Sequence, residues 1–221
     1  MKIKIVFLPQ GIRKWYVNLI SPATEFFIKH GINPNFFTTV GLIVSAIATY
    51  ALARGKLALG GVLVLIAGTF DILDGSVARA TNRVTKFGAL YDSTMDRYGE
   101  VMIFFGLAYY FIFYHNDWLI AGINLPLLAA LAVSLSLGGA IMTSYVRARA
   151  EGLGLECKVG IMQRPERLVF LGFGAIIHKY ALVMALIVIA ILSNLTAIQR
   201  LYHVYRTEKS EKLTGGTKIE S

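Results

Sequence analysis

Four aspartates, Asp71, Asp74, Asp92 and Asp96, share one short stretch of this sequence. Asp71 and Asp74 are three apart, and Asp92 and Asp96 are four apart. On a helix each pair lies on one face, a turn apart. The surrounding residues are apolar, and carboxylates in an apolar medium are costly, at least about 2.5 kcal/mol for Asp at the centre of a membrane helix. Four together also repel one another. Bound cation resolves both problems: Mg²⁺ and Mn²⁺ prefer oxygen ligands. Two such ions held a few ångströms apart can clamp a phosphoryl transfer. A plainer reading pairs the aspartates with Arg79, Arg83, Lys86 and Arg97. Gly75 and Gly88 flank the acidic pairs and leave room for a backbone or a phosphate, although membrane helices also use glycine for packing.

The elements that carry these residues are set by composition. The chain has 221 residues, 56% hydrophobic and 16% charged, with a mean hydropathy of +0.60. Soluble domains average about 25% charged and about 45–50% apolar residues. A spanning helix needs about 20 apolar residues, and such stretches occur near 36–52, 57–77, 89–114, 118–146, 161–177 and 181–201. The expected fold is therefore all-α: an integral membrane protein built as a six-transmembrane-helix bundle. The short link between the second and third spans makes them antiparallel neighbours. Residues 11–30 alternate aromatic and cationic side chains and suit an interfacial amphipathic helix. Residues 1–205 then form one membrane domain, and 206–221, rich in Lys, Glu, Thr and Gly, read as a disordered basic tail. The first nine residues lack the core of a cleavable signal. The single cysteine, Cys157, excludes an internal disulfide and a multi-thiolate zinc site.

Six spans put both termini on one side. Of 22 Lys and Arg residues, only Arg54, Lys56 and Lys179 fall on the other. The positive-inside rule makes the charged side cytoplasmic. The expectation is a multi-pass cell (inner) membrane protein with both termini and the aspartates on the cytoplasmic side. The net charge of +9 then reflects topology and not a nucleic-acid partner. A cation-coupled transporter predicts midplane acids and broken helices in repeats; the acids here cluster at one face and no repeat is visible.

Asp71, Asp74, Gly75, Ala78 and Arg79, then eight residues, then Gly88, Asp92 and Asp96 resemble the signature of the CDP-alcohol phosphotransferases (CDP-alcohol phosphatidyltransferases), D-x-x-D-G-x-x-A-R and G-x-x-x-D-x-x-x-D. The resemblance implies two divalent cations, Mg²⁺ or Mn²⁺, on Asp71, Asp74, Asp92 and Asp96, with Asp96 also the general base. It implies that Gly75, Ala78, Arg79 and Gly88, together with Asp74, cradle the cytidine diphosphate of a CDP-lipid such as CDP-diacylglycerol. It implies too that Asn35 and Thr38, in a segment like the one that opens the first span in this family, approach the nucleotide. A homodimer is implied as well.

The acceptor is addressed by other residues. Ser144, Arg147 and Arg149 end the fourth span, Arg164 and Arg167 open the fifth, and Arg200 ends the last. Arginine forks suit a phosphate. This text resembles the prokaryotic phosphatidylinositol-phosphate synthase branch, which implies that these six positions hold the phosphate of an inositol phosphate. Arg147 stands where lysine is expected. The same arginines would also suit glycerol 3-phosphate, or would simply anchor helix ends at anionic headgroups.

Overall fold

Capping residues decide where the helices start and stop in the computed structural model, which describes residues 10–81, 83–113, 119–120 and 123–215. Helix α1 (Gln10–Lys29) ends before Gly31, whose φ of 65° suits only a residue without a side chain. Asn33 then caps α2 (Pro34–Ala53), accepting from the Asn35 N–H, with Pro34 in the first turn. Gly55, at φ 72°, separates α2 from α3 (Leu57–Ala80). After a short turn come α4 (Lys86–Phe113) and the paired strands β1 (Leu119–Ile120) and β2 (Ile123–Asn124). Asn124 caps α5 (Leu125–Gly152), accepting from the Leu127 N–H. Helices α6 (Arg164–Ile177) and α7 (Lys179–Gly215) complete the chain.

Three boundaries differ from the sequence reading. The fourth span is expected from residue 118, but Leu119–Ile120 pairs with Ile123–Asn124 as strands and the Asn124 cap with Pro126 starts the helix later. Helix α5 also runs past residue 146, so Arg147 and Arg149 are helical. Helix α7 continues to Gly215 although residues 206–221 read as disordered. Extending an existing helix adds one hydrogen bond per residue fixed and avoids nucleation, and Lys, Glu and Leu are good helix formers. Residues 216–221 of that tail, and the first nine residues, lie outside the described ones.

Among the described residues, α2, α3, α5 and α7 (to Lys209) are long and apolar enough to cross a membrane. Their outward faces carry exposed Ile43, Ile47, Leu127, Leu131, Leu135, Met184 and Ile191, as lipid contact requires. Among the described residues the membrane protein is all-helical apart from two short strands. Helix α4 has 28 residues, ample length for a span, but opens with the charged site. Helix α6 has 14 residues, about 21 Å at 1.5 Å per residue against about 30 Å of hydrocarbon.

The six helices from α2 to α7 close into a ring. Helix α2 packs on α3, α3 on α6, α6 on α7, α7 on α5, α5 on α4, and α4 back on α2. The second and third spans, α3 and α4, are thus not the packed neighbours their short link suggests. Helix α2 lies between them, and their contact is slight. The reason is small residues on the α2–α4 seam. A β-carbon on Gly106 would sit 2.6 Å from the Thr49 carbonyl oxygen. Gly106→Val is therefore expected to push α4 off α2, costing about 1–3 kcal/mol; a thermal melt in detergent reads this as a lowered midpoint. The α5–α7 seam is held by Ser136 Oγ donating to the Leu186 carbonyl (3.0 Å) and Thr143 Oγ1 to that of Ser193 (2.9 Å).

The ring interior is filled by Phe104, Leu107, Phe111, Leu182, Leu186 and Ile189. A smaller cluster of Phe37, Leu73 and Val77 receives Ile20, Phe27 and Ile28 from α1. Tyr16 and Thr69 share a hydroxyl hydrogen bond of 2.5 Å, and Arg83 donates to the Gly31 carbonyl at 2.9 Å. Helix α1 is thereby anchored beside the end of α3 that carries the aspartates.

Candidate active site

The acidic pairs leave their helices toward a common point where α3 ends and α4 begins. One carboxylate oxygen from each of Asp71, Asp74 and Asp92 lies within 4.8 Å of the others. Asp74 is buried, 5% exposed, and accepts from Thr38 Oγ1 at 2.9 Å. Asp92 Oδ1 is buried without a hydrogen-bond partner. Asp96 stands a turn deeper and is linked to the trio through Arg164, whose Nη1 lies 2.9 Å from Asp96 Oδ1 and also contacts Asp71 Oδ2.

The four aspartates are therefore gathered as three and one. The plainer reading, neutralisation by nearby cations, is met in part, by the Arg97–Asp96 ion pair. Arg79 lies over Gly75, Arg83 binds the Gly31 carbonyl, and Arg97 reaches Asp96 only at 3.8 Å. The closer counter-charge is Arg164, from a distant helix. Three crowded carboxylates with an orphaned oxygen fit a hard divalent cation such as Mg²⁺ or Mn²⁺.

The residues expected around the nucleotide are adjacent to this trio. Thr38 is bonded to Asp74, as above. A β-carbon on Gly88 would come 3.3 Å from Asn35 Oδ1, and one on Gly75 would come 3.2 Å from Arg79 Nη1. Asn35 of α2 thus sits against Gly88 of α4, and Arg79 lies over Gly75 one turn away on α3. Ala78 is half-buried on the same end of α3.

The six residues expected around the acceptor phosphate divide. Arg164 is on the aspartates. Arg167 is buried, with Nε and Nη2 on the two oxygens of Glu100 at 2.5 and 2.9 Å. Arg200 donates from Nε to the Val159 carbonyl (2.7 Å) and from Nη1 to that of Thr143 (2.6 Å). Arg167 and Arg200 thus both reach the loop before α6, at the Met162 and Val159 carbonyls, and Arg200 also reaches Thr143, next to half-buried Ser144. Arg147 also pairs with Glu151 at 2.8 Å. Arg149 is exposed and, two positions from Arg147, faces elsewhere. Cys157, in the loop before α6, is buried, and burial pushes its thiol up, away from reactivity.

Glu100 is the residue that motif reading missed. Its position four after Asp96 and eight after Asp92 continues the acidic face by one further helical turn, and that spacing was the available signal.

The sequence pattern of the CDP-alcohol phosphatidyltransferases matches residues 32–207. An archaetidylinositol phosphate synthase of Methanothermobacter thermautotrophicus is 38% identical over 207 residues, covering 90% of this chain and 98% of that protein. A phosphatidylinositol phosphate synthase of Mycobacteroides abscessus is 33% identical, covering 88% and 87%. The fold is similar to the Mycobacterium tuberculosis phosphatidylinositol phosphate synthase with CDP-DAG bound, with a TM-score of 0.73 at 30% identity over 85% of this chain and 94% of that one. The same enzyme in complex with manganese and citrate also gives 0.73, covering 83% and 88%.

Proposed function

The chain belongs to the CDP-alcohol phosphatidyltransferase family, and from that premise we propose that it transfers the phosphatidyl group of CDP-diacylglycerol, or a related CDP-lipid, to a hydroxyl of an inositol phosphate. CMP and phosphatidylinositol phosphate, or its ether-lipid counterpart, are the products. The observation that carries this reading is the trio of carboxylates together with two arginines, Arg167 and Arg200, held on one loop at the Met162 and Val159 carbonyls. One group suits a metal-bound pyrophosphate; the other suits a second phosphate on the acceptor.

The residues divide the work. Asp71, Asp74 and Asp92 hold divalent cation, with Asp96 at the edge of that set; when bound, the metal neutralises the pyrophosphate and acidifies the acceptor hydroxyl. Asn35, Thr38, Gly75, Ala78, Arg79 and Gly88 receive the cytidine diphosphate. The acceptor oxygen attacks the phosphorus that carries the lipid, the bond to CMP oxygen breaks, and Asp96 takes the hydroxyl proton. Arg79 offsets charge on the departing CMP. Ser144, Arg147, Arg164, Arg167 and Arg200 supply the acceptor's phosphate site, with Arg164 serving both regions; Arg149, exposed and two positions from Arg147, faces away from it.

In this reading the six ring helices span the cell membrane, and α1 lies in the headgroup plane. Both termini and the site face the cytoplasm, and the enzyme is a homodimer. The distribution of Lys and Arg supports the orientation. The test is CMP release by the purified protein in detergent with CDP-diacylglycerol and Mn²⁺. Inositol phosphate is expected to support turnover and free inositol is not. Turnover with glycerol 3-phosphate and none with inositol phosphate would transfer the assignment to phosphatidylglycerophosphate synthesis.

A further inference from the structure

Glu100 and Arg167 form a charge pair far inside the ring, 4% and 1% exposed. Both carboxylate oxygens are taken by one face of the guanidinium, at 2.5 and 2.9 Å, while Nη1 points to the Met162 carbonyl at 3.4 Å. Apolar side chains of similar volume would often serve stability as well as a buried ion pair does. The location of this pair suggests a different role. Glu100 lies one turn beyond Asp96 on α4, and Arg167 one turn beyond Arg164 on α6.

Helices α4 and α6 are not neighbours in the ring. Two charged rungs nevertheless join them across its interior: Asp96 with Arg164 at 2.9 Å, and Glu100 with Arg167. The second rung fixes the plane of the Arg167 guanidinium through two parallel bonds. It leaves Arg167 Nη1 toward the Met162 carbonyl, on the same loop that Arg200 binds at the Val159 carbonyl.

We propose that Glu100 is a positioning residue for the acceptor: it ties Arg167, at the phosphate end, to the helix that carries Asp96, at the hydroxyl end. The idea rests on the phosphorylated-acceptor reading above. A molecule gripped at one end and reacting at the other needs both ends fixed to one frame, and a misplacement of about 1 Å can cost about a hundredfold in rate. Helix α4 with Glu100 is that frame.

The experiment compares wild type, Glu100→Gln and Glu100→Asp in detergent, with KM measured separately for inositol phosphate and for CDP-diacylglycerol. Glu100→Gln keeps the size and one acceptor oxygen but loses the charge. It is expected to raise the acceptor KM about ten- to a hundredfold, with the CDP-lipid KM and the Mn²⁺ affinity changing by less than about twofold. Glu100→Asp, charged but shorter, should fall between, and carries the test alone if Glu100→Gln does not fold. In an Arg167→Lys background the Glu100→Gln change should add little, because the two residues act as one unit. An unchanged acceptor KM, a loss spread equally over both substrates, or full additivity with Arg167→Lys overturns the proposal. Wild type that releases no CMP with any phosphorylated acceptor overturns the parent reading instead, and this inference with it.

Discussion

Asp96→Asn is expected to lower turnover by about 10²- to 10⁴-fold while leaving CDP-lipid binding in place. The asparagine has the same shape and still offers an oxygen to Arg164 Nη1, now 2.9 Å from Asp96 Oδ1. What it cannot do is accept the acceptor's proton. Asp96 also stands outside the trio whose oxygens lie within 4.8 Å, so Mn²⁺ affinity should fall less here than in variants of the trio. CMP release read beside a Mn²⁺ titration by electron paramagnetic resonance separates the two effects. Full activity in Asp96→Asn would refute the base assignment.

Asp74→Asn should act the opposite way round, on metal first. Asp74 is the most enclosed of the trio and takes the Thr38 hydroxyl at 2.9 Å. Even outer partners of a metal site typically cost about ten- to a hundredfold in affinity when removed, so loss of a direct carboxylate should exceed about a hundredfold. Chelator-stripped wild type is expected to recover activity on adding Mn²⁺, and Asp74→Asn is not. Stability gives an independent sign. Without metal the variant relieves repulsion among the three carboxylates and should melt higher than wild type. With metal the order should reverse, since a ligand stabilises only the form that binds it. A variant that melts lower than wild type under both conditions would mean that Asp74 serves packing and not metal.

Much of this was legible before any coordinates. The i,i+3 and i,i+4 acidic spacing placed Asp71 beside Asp74 and Asp92 beside Asp96, because helical geometry is local. The long apolar runs indicated a membrane. Other features were not legible. Nothing in a short α3–α4 link reveals that α2 will lie between the two helices, since that depends on which surfaces are small enough to meet, as at Gly106 and Thr49. The helical continuation to Gly215 was hidden by a composition that resembles a tail.

The arginines mark the division most clearly. Their residue types and positions near helix ends announced anion chemistry, and the sequence alone could go no further. Arg164 and Arg167 are three residues apart, yet one meets Asp71 across 93 residues of chain and the other meets Glu100 across 67. Electrostatic partners are chosen by distance in space, and that distance exists only once the ring of helices has closed. The chemistry of the aspartates was written in their spacing; the charge each one faces was decided by the fold.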